Sequence, residues 1–167
     1  MNGDHHRAAP WTQFWVLVGF LGVCLAVAGT AGVLTVGPAL LWYATLTHPW
    51  LSPPNWVFGP VWSVMYGAMA VAAWMIWREP GLPRKRRSAL TLWGVQLALN
   101  ASWSPVYFGL HMLGAGLVVI LALWVAVAAT TWRFYRLDLR AGWLMLPYVA
   151  WVGFATYLNA GFWWLNR

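Results

Sequence analysis

Apolar residues run along this chain in five long blocks, each bounded by proline, glycine or a cluster of charge. The blocks run approximately from Trp11 to Val36, Asn55 to Trp77, Ser88 to Phe108, Met112 to Trp132, and Ala141 to Leu165 (11–36, 55–77, 88–108, 112–132 and 141–165). Each is long enough to cross a hydrocarbon core of about 30 Å at about 1.5 Å rise per residue. The pattern predicts an all-α membrane protein, a five-transmembrane-helix bundle filling one domain over 11–165 behind an N-terminal tail, 1–10. The connections read as loops. Gly37 to Pro54 carries four prolines, Glu79-Pro80-Gly81-Leu82-Pro83 precedes a basic run, and Asp138 lies between arginines. Arg7, an apolar stretch and the Ala26-Val27-Ala28 triplet resemble a cleavable signal, but the uncharged run continues far beyond that triplet, which favours a first membrane helix.

Composition agrees with this reading. Hydrophobic residues make up 62% and charged residues only 8% of the 167, against about 25% charged in a soluble domain. A water-soluble globule is excluded. No Lys, Arg, Asp or Glu occurs over the seventy residues from Ala8 to Trp77. Five crossings place Arg7, Arg78, Arg84, Lys85, Arg86, Arg87, Arg133, Arg136 and Arg140 on one side and only Arg167 on the other. Such asymmetry predicts a multi-pass protein with the N-terminus inside and the C-terminus outside. The run Arg84 to Arg87 then reads as a topology signal and a contact for anionic lipid rather than as a nucleic-acid site.

The chemistry available is narrow. None of the five blocks holds an ionisable group of the kind that ion-coupled transport requires. His5 and His6 lie in the tail and His48 and His111 in or beside outer loops, so no metal site is expected. Cys24 stands alone, which excludes an intrachain disulfide, and it reads as a small helix-packing residue. Any function must rest on aromatic, amide and hydroxyl groups.

Sixteen tryptophans are the most unusual feature. An interfacial belt accounts for Trp11, Trp15, Trp74, Trp77, Trp93, Trp132 and Trp143 at one end and Trp42, Trp50, Trp56, Trp103, Trp163 and Trp164 at the other. Trp62, Trp124 and Trp151 fall outside it. Residues four apart share a helix face, which aligns Phe58, Trp62 and Tyr66 on one helix and Tyr148, Trp151, Ala155 and Asn159 on another, with Asn100 and Trp103 together on a third. Dense core packing would explain such stripes. Buried indole, phenol and amide groups need partners, however, and three stripes facing one another would line a pocket for a flat, apolar, conjugated ligand.

The segment Trp50-Leu51-Ser52-Pro53-Pro54-Asn55-Trp56-Val57-Phe58, followed by Pro60, Trp62 and Tyr66, resembles the translocator protein family, also called tryptophan-rich sensory proteins or peripheral-type benzodiazepine receptors. Two further blocks agree in order: Gln96-Leu97-Ala98-Leu99-Asn100 with Trp103, Pro105, Phe108 and Gly109, and Pro147-Tyr148 with Trp151, Ala155-Thr156 and Leu158-Asn159. The resemblance implies a five-helix bundle, commonly a homodimer, that binds porphyrins and, in some members, sterols or synthetic isoquinoline and benzodiazepine ligands. It implies tetrapyrrole regulation, by sequestration or by light-dependent degradation of protoporphyrin IX, with porphyrin as ligand or substrate and no cofactor required. The residues tied to degradation correspond to Trp62 and Trp151. Pocket roles carry over to Tyr43, Trp50, Pro54, Tyr66, Asn100, Trp103 and Ala155, with Phe58 and Tyr148 on the same stripes and the first loop acting as a lid. The sterol consensus is incomplete: the first basic residue after Tyr157 is Arg167, and Ala160-Gly161 stands where sterol-binding relatives tend to carry tyrosines. On this ground and its short tail the chain resembles bacterial members, and with the charge asymmetry the resemblance implies a bacterial inner membrane with a cytoplasmic N-terminus and a periplasmic C-terminus. A passive exporter of hydrophobic molecules and a regulatory membrane scaffold are the competing functional classes. For self-association, Gly94, Ala98 and Ser102 give one small-residue face and Ala28 with Gly32 another.

Overall fold

The computed structural model describes residues 9–80 and 82–167. Residues 1–8, with His5, His6 and Arg7, lie outside the described residues, so most of the expected tail does too. All regular structure among the described residues is helical: α1 (Pro10–Leu34), α2 (Pro38–Thr45), a 3-10 turn (Asn55–Val57), α3 (Phe58–Arg78), α4 (Pro83–Ser104), a π turn (Pro105–Gly109), α5 (Leu113–Leu137) and α6 (Leu139–Leu165).

Several boundaries differ from the sequence expectation. The proline-rich loop contains α2, because a proline in the first turn starts a helix rather than breaking one and Gly37, at φ +64°, supplies the reversal ahead of it. The basic run is helical from Pro83, since Arg and Lys are good helix formers. The break expected around Asp138 shrinks to that residue, whose carboxylate Oδ1 accepts from the N–H groups of Arg140 (2.7 Å) and Ala141 (3.4 Å) and so caps α6. Gly142 makes the tight hairpin feasible: a Cβ there would sit 2.6 Å from the Cα of Tyr135.

Four stretches are long and apolar enough to cross a membrane: Pro10–Leu34, Asn55–Arg78, Leu113–Leu137 and Leu139–Leu165. The fifth long helix, α4, has 22 residues. It opens on Arg84, Lys85, Arg86 and Arg87 and buries Gln96 and Asn100, so it lacks the uniform apolarity of the other four. The five expected helices are therefore four apolar ones and one with a strongly polar head.

The long helices pack in the order α1–α3–α6–α5–α4, with α4 closing back on α1. At the end bearing the basic residues the centre is solid. Met69, Ala70, Ala72, Ala73 and Ile76 of α3 meet Ala89 of α4, Phe134 of α5 and Ala141 and Met145 of α6, all fully buried. Alanine lets backbones approach and methionine fills what remains. Helix α1 is attached more lightly. Cys24 is its one buried residue, and the indole of Trp74 ties it to α3 by donating to the Gln13 carbonyl at 2.9 Å.

Candidate ligand-binding site

Towards the opposite end the same helices diverge around a cavity of about 550 Å³, within the usual range for a small-molecule site. Helix α1 contributes Ala28, Ala31, Gly32 and Thr35, α3 contributes Phe58, Trp62, Ser63 and Tyr66, and α4 contributes Asn100, Trp103 and Ser104. Tyr107 and Phe108 enter from the π turn, and Ala155, Leu158, Asn159 and Phe162 from α6. Pro105 has no N–H to continue the ladder of α4, and the resulting wide turn, closed by the Leu110 N–H donating to the Pro105 carbonyl at 2.9 Å, swings both rings inward.

Stiff rings braced against one another form the wall. Trp103 stacks on Tyr107 at 5.0 Å, Phe108 meets Trp103 edge-on at 5.7 Å, and Trp62 lies 5.7 Å from Tyr66 and 6.2 Å from Tyr148. Rigid rings in mutual edge contact resist collapse into the space they enclose.

The floor is polar and uncharged. The Tyr66 hydroxyl donates to Asn100 Oδ1 (2.6 Å), Asn100 Nδ2 donates to the Tyr148 hydroxyl (2.8 Å), that hydroxyl donates to Gln96 Oε1 (3.0 Å), and Gln96 Nε2 reaches Met69 Sδ (3.5 Å). Beside this chain, Trp103 Nε1 donates to Asn159 Oδ1 (3.0 Å) while Asn159 Nδ2 donates to the Leu113 carbonyl (3.2 Å). A buried polar network of this kind is stable when its members find partners, and here each hydroxyl, amide nitrogen and indole of the network has at least one.

A lid covers one side. Tyr43 of α2 is buried against Phe162 and His48, and burial pushes its phenol up to about 12, which keeps it a neutral donor. The following loop is pinned to α6. Asn166 accepts from the Thr47 N–H (2.8 Å) and donates to the Thr47 carbonyl (3.0 Å), and the Tyr157 hydroxyl donates to the Trp50 carbonyl (2.8 Å). Pro49 rests on Gly161, where a Cβ would stand 2.5 Å from the proline ring, so this glycine is the seat of the loop. The exposed rim of the cavity runs through Gly32 and Val36 of the α1 end, Leu40, Asn55, Trp56, and Gly59 and Ser63 of α3. It opens between the outer ends of α1 and α3.

Of the residues expected from sequence, Tyr43, Phe58, Trp62, Tyr66, Asn100, Trp103 and Ala155 line the cavity. Tyr148 lies one layer behind, bonded to Asn100. Trp151 stands outside the lining, edge-on to Phe58 at 5.9 Å, with a buried indole N–H that has no partner among the described residues. Trp50 is 81% exposed and Pro54 is exposed too; neither lines the cavity, because the loop is anchored through the main chain of Trp50 and turns its ring outward. Sequence reasoning placed Asn159 on the α6 stripe but missed Gln96 as a polar member, although it lies four residues from Asn100. The α1 residues carry no chemical mark that would have found them. Trp124, the third tryptophan outside the belt, donates to the Val149 carbonyl at 3.2 Å across Gly153 and is not among the lining residues, although its neighbour Leu123 is. Among the described residues no three His, Cys, Asp or Glu side chains are grouped to hold a metal.

Membrane-length apolar helices around an aromatic cavity define a polytopic helical membrane protein with an internal cavity of ligand size. The chain belongs to the TspO/MBR family, whose profile matches residues 20–165. It is 39% identical over 146 residues to the tryptophan-rich sensory protein of Cereibacter sphaeroides, covering 87% of this chain and 88% of that one. It is 42% identical over 128 residues to the translocator protein of Homo sapiens, 76% of each chain, and 40% identical over 147 residues to protein CrtK of Rhodobacter capsulatus, 86% of this chain and 89% of that one.

Proposed function

We propose that this protein crosses a bacterial inner membrane five times, α4 included, with its N-terminus cytoplasmic and C-terminus periplasmic, and binds a porphyrin such as protoporphyrin IX or haem in the α1–α3–α4–α6 cavity. The observation that carries the reading is the cavity itself: about 550 Å³, walled by rings suited to stacking on a flat conjugated ligand and floored by neutral donors and acceptors. Binding there would lower the free concentration of a photoreactive pigment without any cofactor. The placement of Arg78, Arg84 to Arg87, Arg133, Arg136 and Arg140 at one end supports the orientation. A reporter after Arg167 should read periplasmic and one at Pro83 cytoplasmic.

The test of binding is titration of the purified protein with protoporphyrin IX in darkness, followed by tryptophan quenching. Saturable quenching at micromolar ligand is expected, and its absence removes the reading. Slow light-dependent breakdown of the pigment is a second reading, favoured by Trp62, an oxidisable indole on the cavity wall. Homodimerisation through α4 is supported by the outward face of Gly94, Ala98 and Ser102, all exposed. Ala28 and Gly32 instead border the cavity. Ala98→Leu should therefore weaken cross-linking between copies, whereas unchanged cross-linking would remove this interface.

A further inference from the structure

The basic residues do more than crowd one end of the bundle. A groove of about 520 Å³ runs between the last turn of α3 and the first turns of α4, walled by Trp77, Pro83, Leu90 and Thr91 and edged by Arg86 and Arg87. Arg86 is fixed across the junction. Its Nη1 donates to the carbonyls of Glu79 (3.1 Å) and Trp77 (3.4 Å), and Nη2 and Nε have no acceptor among the described residues. Arg84, Lys85 and Arg87 are exposed beside it. The nearest acid in sequence, Glu79, meets Arg86 through its main-chain carbonyl, and Asp138 is engaged in capping α6.

We propose that this groove is a headgroup site for an anionic phospholipid. Guanidinium groups supply planar, multiple donors to phosphate oxygens. The apolar wall of Trp77 and Leu90 continues from those donors along the helices, where the glycerol and first acyl carbons of a lipid would lie and where free phosphate would gain nothing. Basic pockets between membrane helices at headgroup level bind lipids of this class. The site is separate from the ligand cavity and shares no lining residue with it, so it stands whether or not the cavity takes a porphyrin.

Native mass spectrometry of the full chain, with phosphatidylglycerol or phosphatidylcholine added to the detergent, tests the proposal. Phosphatidylglycerol should stay bound at collision energies that strip phosphatidylcholine. Arg87→Gln should lower its affinity about fivefold and Arg86→Gln with Arg87→Gln further, while Arg87→Lys, which keeps the charge but not the fork of donors, should restore only part of the loss. Arg136→Gln with Arg140→Gln removes the same charge elsewhere and should change little. Equal losses from both double variants would mean a diffuse field rather than a site, and equal retention of the two lipids would refute the proposal. Full displacement by millimolar inorganic phosphate would also overturn it, in favour of a free-anion site. Arg87 is exposed and makes no hydrogen bond among the described residues, so the single variant remains informative if Arg86→Gln fails to fold.

Discussion

The two halves of the bundle are built from the same helices by opposite means. Near the basic end, α3 presents Met69, Ala70, Ala72, Ala73 and Ile76, and its neighbours close onto those small or flexible side chains without leaving space. One to four turns away on the same helix, Tyr66, Trp62 and Phe58 hold the neighbours apart. Size alone does not create the cavity, because large side chains usually fill what they open. The void persists because the rings lean on one another and because Tyr66, Asn100, Tyr148 and Gln96 are locked into a hydrogen-bonded chain. The solid half is held by packing, and the hollow half by bonds and bracing.

The largest effect should come from breaking that chain. Asn100→Leu leaves the Tyr66 hydroxyl without its acceptor and the Tyr148 hydroxyl without a donor, at a cost of about 3 kcal/mol for two buried polar groups. In the solid half Met145→Leu, close to volume-conserving, should cost less than about 1.5 kcal/mol. Thermal unfolding of both variants in one detergent decides the matter, and similar losses would dissolve the distinction between the halves.

A matched pair of insertions comes next. Ala73→Leu forces three extra carbons into a fully buried position and should destabilise by about 1–3 kcal/mol while ligand affinity is retained. Ala155→Leu places the same carbons in the cavity. Stability should hold there, and porphyrin affinity should fall at least about tenfold, equivalent to ~1.4 kcal/mol. An Ala155→Leu protein that unfolds early yet binds normally would show that the cavity is not the ligand site.

The solid half was the easier to read from sequence. Long apolar blocks locate α1, α3, α5 and α6 within a few residues, because length and hydropathy alone set a membrane helix. Helix α2 was hidden by its prolines, which mark breaks and helix starts equally well. In the hollow half the i, i+4 stripe correctly brought Phe58, Trp62 and Tyr66 to the cavity, yet the same rule on α6 admitted Trp151 along with Ala155. Spacing fixes which residues share a face but not how far that face is rotated towards the centre. Tyr107 escaped altogether and Phe108 was picked out in the family motif but not as a lining residue, because the wider period of a π turn shifts the α-helical face from which the stripe is extrapolated. The small α1 residues were invisible to any argument built on aromatic content.

The lid should respond more mildly than the floor. Asn166→Ala removes the two contacts that pin Thr47 while leaving Tyr157 to hold Trp50. A loss of about 1 kcal/mol or less is expected for these exposed bonds, and it should appear as faster ligand dissociation with the association rate nearly unchanged. Stopped-flow quenching separates the two rates. A change confined to association would mean that the loop guards entry, so that ligand does not load through the rim between α1 and α3.

The smallest effects on affinity, and the sharpest test of breakdown, lie with the tryptophans. Trp62→Phe keeps a ring on the cavity wall and loses part of a stacking contact worth about 0.5–1.5 kcal/mol, so binding should weaken modestly. Trp151→Phe should leave affinity unchanged, since this indole stands behind Phe58, and stability should hold or rise slightly because its buried N–H has no partner to lose. Light-dependent pigment loss, measured at matched occupancy, should therefore fall more in Trp62→Phe than in Trp151→Phe. Trp124→Phe loses its bond to the Val149 carbonyl at a position outside the cavity lining, and controls for general destabilisation. Full pigment loss in the Trp62 and Trp151 double variant would show that the protein merely holds the pigment in light and oxygen. The hollow half would then be a binding site whose wall takes no part in the chemistry.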